Sequence, residues 1–168
     1  TIDCAGAGDV VYAVNVNGPA SVGDDGADTV TCSGSSGHRV FGGNANDGGD
    51  GNDRGDVLTG GTDGEDFWGG NANTDRASSG NDGADTIVPG GGIDTVWGGN
   101  FNSAGQGNDG GDTIRLDDAE AGDVAYGDNR GPGGKGADTF AADAGDIVHQ
   151  GNSTIAPRPW PALLAGRL

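Results

Sequence analysis

A repeat with a period near 28 residues constrains this chain more than any other feature. A short segment in which an aromatic residue precedes glycine and asparagine occurs in close copies at residues 40–46, 67–73 and 96–102. Weaker copies lie at 11–17, 125–129 and 148–152. A repeat that cannot bury its own apolar face does so by stacking on its neighbours, so the pattern predicts a solenoid.

A second segment, of the type Gly-Asn-Asp-Gly-Ala-Asp-Thr-Ile, alternates with the first at 23–30, 51–58, 80–87, 107–114 and, degraded, 133–140. The first segment begins with a short apolar stretch and the second segment ends with one, and each such stretch predicts one strand. We therefore expect an all-β, parallel β-solenoid (a β-roll or β-helix) of about six coils, with two short strands per coil and loops rich in Gly, Asn and Asp. The repeats define one domain, 1–153, and residues 154–168 form a Pro-rich tail or linker.

Composition limits the partners of such a solenoid. Leu, Ile, Val and Phe account for only 27 of 168 residues and the net charge is −18, a combination typical of disordered chains unless a repeat supplies the order. A surface this negative repels phosphates, which argues against nucleic acid and anionic membranes as partners. The sequence contains no apolar run of 18 residues, so we expect no membrane insertion.

Carboxylates recur in register with the repeat. Pairs spaced three residues apart precede the first strand of four coils, and a single acid precedes the second strand of most coils, although His38 interrupts that series. Stacked coils place like charges about 5 Å apart, where each pair repels by about 3 kcal/mol at an effective dielectric near 20. Eight Lys and Arg residues are too few to compensate. Either the aspartates are solvated turn formers, or a hard divalent cation such as Ca²⁺ lies between the coils.

Residues 90–97, Gly-Gly-Gly-Ile-Asp-Thr-Val-Trp, resemble the repeats-in-toxin (RTX, or hemolysin-type) calcium-binding repeat, although the coil here is about ten residues longer. The resemblance implies a right-handed parallel β-roll, secreted into a calcium-rich medium and binding several Ca²⁺ ions. The ligands that it implies are Asp28, Asp56, Asp85, Asp112 and Asp138, with Asp94 and Asp123 in a second file. Supplementary ligands are Asp25, Asp53, Asp82 and Asp109.

Cys4 and Cys32 each follow an apolar strand residue by two positions, so they occupy one column of adjacent coils. Their expected separation of about 4.8 Å lies within the Cα range of a disulfide, and two free buried thiols are the alternative. A disulfide indicates a location outside the cytosol, secreted or at the cell surface. The chain begins at Thr1, which suggests a removed leader or a processed fragment, and Asn152 begins a glycosylation sequon.

One column of rings runs through the second strands, and two interpretations of it remain open. Strand alternation predicts that the rings point outward and form a contact surface for a protein chain or a sugar; alternatively, the long loops of their own coils cover them. The predicted contact residues are Tyr12, Phe41, Trp68, Trp97 and Tyr126.

No catalytic constellation is present in the sequence, so we expect no enzymatic activity. The leading hypothesis is a secreted, calcium-stabilised structural β-solenoid that self-associates head to tail into an extracellular filament or forms an adhesin or surface-layer module. The alternatives are a carbohydrate- or ice-binding module that uses the aromatic, Thr or Asn ladders, and the secretion β-roll of a larger exoprotein.

Overall fold

The computed structural model describes residues 1–6, 8–76 and 78–152. The tail predicted at 154–168 lies outside these residues. Every regular element in them is a short β-strand, and no helix that could cross a membrane occurs among them. Glycine and aspartate are poor helix formers, whereas the Val, Ile, Thr and Phe of the repeat favour strands. The all-β, parallel solenoid predicted from the repeat is confirmed.

The first sheet contains the four strands that follow the paired aspartates, together with one further strand at each end. Its six strands are parallel and lie in chain order, so the chain advances by one coil between neighbours. The register aligns the apolar column, for example Val30 with Leu58 and Leu58 with Ile87. The strands are β1 (Ile2–Cys4), β4 (Thr29–Cys32), β7 (Val57–Thr59), β10 (Thr86–Val88), β13 (Thr113–Leu116) and β15 (Thr139–Ala142).

The second sheet is also six-stranded and parallel, and it contains the aromatic column. Phe41 pairs with Trp68, and Trp68 with Trp97, so that the rings are in register along the rod. The strands are β2 (Val10–Tyr12), β5 (Arg39–Phe41), β8 (Asp66–Trp68), β11 (Thr95–Trp97), β14 (Val124–Tyr126) and β16 (Ile147–His149).

A third sheet corrects the prediction of two strands per coil. Four two-residue strands follow the Gly-Gly-Asn or equivalent turn and pair in parallel: β3 (Val16–Asn17), β6 (Ala45–Asn46), β9 (Ala72–Asn73) and β12 (Phe101–Asn102). Their sequence alternates one apolar residue with one asparagine, a pattern too short to predict a strand by periodicity. They form because the coils on either side hold them in register.

The number of turns is also smaller than predicted. Each of the first two sheets has six strands, and one turn of the chain separates each strand from the next. Six strands are therefore joined by about five turns of about 28 residues each. The predicted number of six coils equals the number of strands in a sheet and not the number of complete turns. The last two strands, β15 and β16, are not followed by a third strand among the described residues.

Two apolar cores run along the rod. The larger core contains the inward residues of the first two sheets, among them Val30, Leu58, Ile87, Phe67 and Val96, all completely buried. The second contains the aromatic column with Ala72 and partly buried Val14 and Phe101. The rings are stacked face to face, with centroids 4.5–5.4 Å apart and interplanar angles of 10° or less.

The burial of these rings corrects the prediction of an exposed contact surface. Phe41, Trp68, Trp97 and Tyr126 are buried, with Trp68 4% exposed and Trp97 8%, while Tyr12 is partly buried. The physical reason is the third sheet: each coil turns after the second strand and brings its own apolar residues against the outer side of the rings. The alternative, that each coil covers its own ring, describes the structure.

The disulfide prediction is confirmed. Cys4 and Cys32 are paired residues of β1 and β4, with their Cα atoms 4.5 Å apart, and the bond joins the first two coils. No free cysteine remains in the chain.

Candidate functional site

The aspartates that immediately precede the first sheet form a ladder, which we call the first acidic file: Asp28, Asp56, Asp85, Asp112 and Asp138. In each step, the backbone N–H of one aspartate donates a hydrogen bond to Oδ1 of the aspartate in the next coil. The four bonds are 2.7, 2.7, 2.9 and 3.0 Å long in chain order. These carboxylates thus have a structural role that spacing alone did not reveal. Each accepts a backbone N–H hydrogen bond from the neighbouring coil, at the turn that leads into the first sheet.

A second acidic file precedes the second sheet and uses the same geometry. The N–H of Glu65 donates to Asp94 (2.6 Å), that of Asp94 to Asp123 (2.8 Å) and that of Asp123 to Asp146 (3.3 Å). His38 replaces the carboxylate in one step only: its Nδ1 accepts the N–H of Asp9 at 3.1 Å. The ladder does not continue from His38 to Glu65, whose two carboxylate oxygens are buried without a hydrogen-bond partner among the described residues.

A third ladder with the same geometry is made by asparagines, at the turn that follows the second sheet; we call the three turns with ladders the corners of the coil. The N–H of Asn44 donates to Oδ1 of Asn71 (2.8 Å), Asn71 to Asn100 (3.0 Å) and Asn100 to Asn129 (3.1 Å). The remaining amide groups of Asn71 and Asn100 donate to backbone carbonyls at 2.8 and 2.9 Å. A neutral side chain therefore suffices to make the ladder, and the charge at the other two corners needs a separate explanation.

The second oxygen of the aspartates points into the rod. Oδ2 of Asp56, Asp85 and Asp112 is buried and has no hydrogen-bond partner among the described residues. These oxygens lie against glycines that end the second sheet's strands; a Cβ at Gly69 or Gly98 would overlap the carboxylate of Asp85 or Asp112. A buried unsatisfied acceptor costs about 1–3 kcal/mol, and more when it is charged. The rod therefore contains acceptor oxygens that the chain itself does not satisfy.

Two groups of three carboxylates converge beside the first acidic file. In the first, one oxygen each from Asp53, Asp82 and Asp85 lies within 4.8 Å of the others. In the second, the same is true of Asp109, Asp128 and Asp138. Six of the predicted ligands do not belong to these groups. Asp56 and Asp112 take part in the ladder, Asp25 and Asp28 lie half-buried at the N-terminal end, and Asp94 and Asp123 belong to the second file.

A third group lies at the second file and joins Asp94 and Asp123 to Asp118. Asp118 and Asp128 are not among the ligands predicted from the sequence. Asp118 lies in the loop after β13, outside any repeated column, and no pattern marks it. Asp128 has a signal in retrospect: it occupies the position of the second glycine in the Gly-Gly-Asn turns at 42–44, 69–71 and 98–100.

Burial and mutual repulsion shift the pKa values of these carboxyls strongly upward. Burial is the larger cause and neighbouring carboxylates add to it, raising the pKa of Asp53 to about 9 and that of Asp109 to about 9. Burial likewise raises the pKa of Asp94 to about 8, and it raises the pKa of Asp82 and Asp85 well above the usual value. The protein alone therefore disfavours the ionised form of these groups at neutral pH.

Basic residues do not neutralise the three groups. Among the described residues, the ion pairs are Thr1 with Asp28 (3.9 Å), Arg39 with Asp66 (3.4 Å) and Arg115 with Asp117 (2.9 Å). None of these involves a member of the three groups. Cys4 and Cys32 also lie near His38, but sulfurs joined in a disulfide are not thiolate ligands.

The arrangement can bind cations. Ca²⁺ accepts six to eight oxygen ligands from carboxylates, backbone carbonyls and water at 2.3–2.6 Å. Three convergent carboxylates with unsatisfied oxygens, enclosed by glycine backbone, supply the anionic part of such a ligand set. Oxygen-only donors exclude the thiolate- and imidazole-rich sites typical of structural zinc.

Comparison with known proteins adds no family assignment to this geometry. No protein-family model matches the chain, and neither a curated protein nor a solved structure shows significant similarity to it.

Proposed function

We propose that this chain is a structural β-solenoid stabilised by several Ca²⁺ ions, which bind at the three carboxylate groups on and beside the two acidic files. The observation that carries the proposal is the contrast between the corners. In the interior of the asparagine ladder, Asn71 and Asn100 have all their side-chain polar atoms paired, and only Asn44, near its N-terminal end, has unpaired ones. The aspartate ladder leaves Oδ2 without a partner in three successive members, Asp56, Asp85 and Asp112. A cation bound at this position would be coordinated by the additional oxygen, Oδ2, and would neutralise its charge.

Energetics support a metal rather than a solvated loop. Carboxylates about 5 Å apart repel by about 3 kcal/mol per pair, and burial adds a desolvation cost to each charge. A divalent ion bound only to the folded chain stabilises that chain by its own binding free energy. With a thin core of about three to five buried apolar side chains in most coils, the ions would supply much of the net stability.

Calcium suits these groups better than magnesium. Mg²⁺ requires a nearly ideal octahedron and keeps several of its waters, whereas Ca²⁺ accepts irregular sets of carboxylate and carbonyl oxygens. The Asp53, Asp82 and Asp85 group combines carboxylates from two coils with surrounding glycine backbone, which is an irregular set with little room for retained water.

A calcium titration tests the proposal. The chain is freed of metal with a chelator at pH 7.5 and titrated with CaCl₂ or MgCl₂ while circular dichroism and the thermal midpoint are followed. We expect β-structure and the midpoint to rise with micromolar to millimolar Ca²⁺ and to respond much less to Mg²⁺. Spectra and midpoints that are identical in chelator and in Ca²⁺ would refute the proposal.

The proposal includes location and assembly. The disulfide is consistent with secretion or a cell-surface location, because such bonds persist in oxidising compartments. β1 and β15 each have a strand on one side only within the described chain, as do β2 and β16, and such edges can pair with another copy. Head-to-tail association into a filament or surface layer would then continue the register of the sheets. Electron microscopy with and without Ca²⁺ tests this part, and monodisperse monomers under both conditions would refute it.

Ligand binding remains a second candidate on one observation. The register places Thr29, Thr86, Thr113 and Thr139 in one row of the first sheet, interrupted by Val57 between Thr29 and Thr86. An ice-recrystallisation assay tests the three consecutive threonines of this row. Sugar binding through the aromatic column is not proposed again, because four of its rings are buried.

A further inference from the structure

We infer that the ions bound at Asp53, Asp82 and Asp85 are caged: they enter as the coils assemble, and they leave only when neighbouring coils separate. The inference rests on the proposed calcium binding and concerns how that site is controlled. The cage consists of two walls of stacked backbone with the carboxylates between them.

The outer wall is formed by the two residues between each pair of aspartates. In successive coils these are 54–55, 83–84 and 110–111, and they contact one another through backbone atoms. A Cβ added to Gly83 would overlap the backbone nitrogen of Gly55, and one added to Gly110 would overlap the carbonyl oxygen of Gly83. Coils this close leave no gap for a hydrated divalent ion.

The inner wall is formed by the glycines that follow the second sheet. At Gly69 and Gly98 an added Cβ would overlap the carboxylates of Asp85 and Asp112, and the next coil's carbonyl oxygen lies close to Gly69. The carboxylates are thus in contact with backbone on the side opposite the outer wall. An ion among them has protein on both sides.

The carboxylates themselves point into this enclosed space. Asp85 is 1% exposed and Asp53 is 6% exposed, and Oδ2 of each has no hydrogen-bond partner in the part of the chain that the structure describes. Oδ2 of Asp82 is buried and unpaired in the same way. These unsatisfied oxygens indicate a ligand, and their burial indicates that the ligand cannot reach solvent directly.

The hydrogen bonds of the first acidic file close the cage in the direction of the long axis of the rod. The N–H of Asp56 donates to Asp85, and that of Asp85 to Asp112, at 2.7 and 2.9 Å, so each coil is tied to the next at the site itself. An ion can leave only if such bonds open. The rate of release is therefore set by local opening, so it should rise under conditions that favour separation of the coils. Independence from chelator concentration excludes direct removal of the ion by the chelator, and acceleration by mild denaturant identifies opening as the limiting step.

The experiment measures release of ⁴⁵Ca²⁺ from the loaded, folded chain. Chelator is added over a hundredfold concentration range, and protein-bound label is followed after rapid desalting. We expect a slow phase whose rate is the same at every chelator concentration. We also expect sub-denaturing urea to accelerate it several-fold, because opening exposes surface.

Two variants test whether the slow phase is release from the site at Asp53, Asp82 and Asp85. Asp82→Asn removes one carboxylate from the cage and should reduce the amplitude of the slow phase at least twofold. Asp63→Asn makes the same charge change on an exposed loop residue and should leave the amplitude unchanged. Circular dichroism in Ca²⁺ verifies that both variants are folded.

The outcomes separate this inference from the proposed function. Label that leaves in one rapid phase, or at a rate proportional to chelator concentration, overturns the cage while leaving calcium binding intact. A slow phase that urea does not accelerate also overturns it, because the ion would then leave without coil separation. A folded chain that binds no ⁴⁵Ca²⁺ in equilibrium dialysis at any Ca²⁺ concentration overturns the proposed function itself.

Discussion

The backbone N–H of Asp56 donates a 2.7 Å hydrogen bond to Oδ1 of Asp85, 29 residues later, while Oδ2 of Asp85 has no partner among the described residues. One side chain therefore joins two coils with one oxygen and presents the other to the interior. The first interaction needs only an acceptor, but the second, in our proposal, needs a charge. Substitutions that separate acceptor from charge test this division.

Asp85→Asn keeps an acceptor oxygen for the ladder and removes the charge. In chelator at pH 8.5 we expect the variant to be more stable than the native chain by about 1–3 kcal/mol, because the native carboxyl must take up a proton or be buried as a charge on folding, and the amide needs neither. In saturating Ca²⁺ we expect the order to reverse by a similar amount. Urea unfolding under both conditions measures the two differences. Asp63→Asn is the control, and a variant with the same sign of effect in both conditions would contradict the prediction.

The metal-free chain should lose stability as pH rises. The pKa of Asp53 is raised to about 9 and that of Asp94 to about 8, far above the value of about 4 in an unfolded chain. Between these limits the folded state binds more protons than the unfolded state, so the free energy of unfolding decreases with increasing pH. The contribution is complete below about pH 4 and is lost by about pH 9.

Thermal midpoints in chelator from pH 4.5 to 9 measure this trend. Saturating Ca²⁺ should reverse it, because the ion binds the deprotonated groups and competes with protons. A metal-free midpoint that rises steadily with pH would show that the buried carboxyls are ionised and stabilised by other means.

The disulfide should stabilise the N-terminal coils selectively. Replacing Cys4 and Cys32 together by serine should lower the free energy of unfolding by about 2–4 kcal/mol, chiefly by freeing the unfolded chain. Amide hydrogen exchange should accelerate most in β1 and β4, which the bond joins, and least in β13 and β15. Uniform acceleration along the rod would indicate instead that the coils unfold as one cooperative unit.

The aromatic column should behave as a core. Trp68→Ala should cost about 3–5 kcal/mol, since it removes a buried ring stacked on both sides. Ile93→Ala, at a side chain that is 69% exposed, should cost less than about 1 kcal/mol. In a Trp160→Phe background, acrylamide should quench the remaining tryptophan fluorescence weakly. Strong quenching in the folded chain would favour the contact surface that the sequence suggested.

Repeat and register could be predicted from the sequence because they depend on spacing alone. Side chains 28 residues apart must stack if the coils stack, so the pairs of Val30 with Leu58 and of Cys4 with Cys32 follow from counting. Most of the carboxylates in the three groups could be named for the same reason.

The tertiary structure decided everything that depends on how one coil bends. Alternation alone placed the side chain of Trp68 outside, but the turn at Gly69 and Gly70 brings β9 across it, and a two-residue strand has no periodicity to predict that. Asp118 joins Asp94 and Asp123 from the loop after β13, outside any repeated column of acids. Spacing fixes which residues stack along the rod, whereas the packing within each coil fixes which side chains face a core, a neighbouring carboxylate or water.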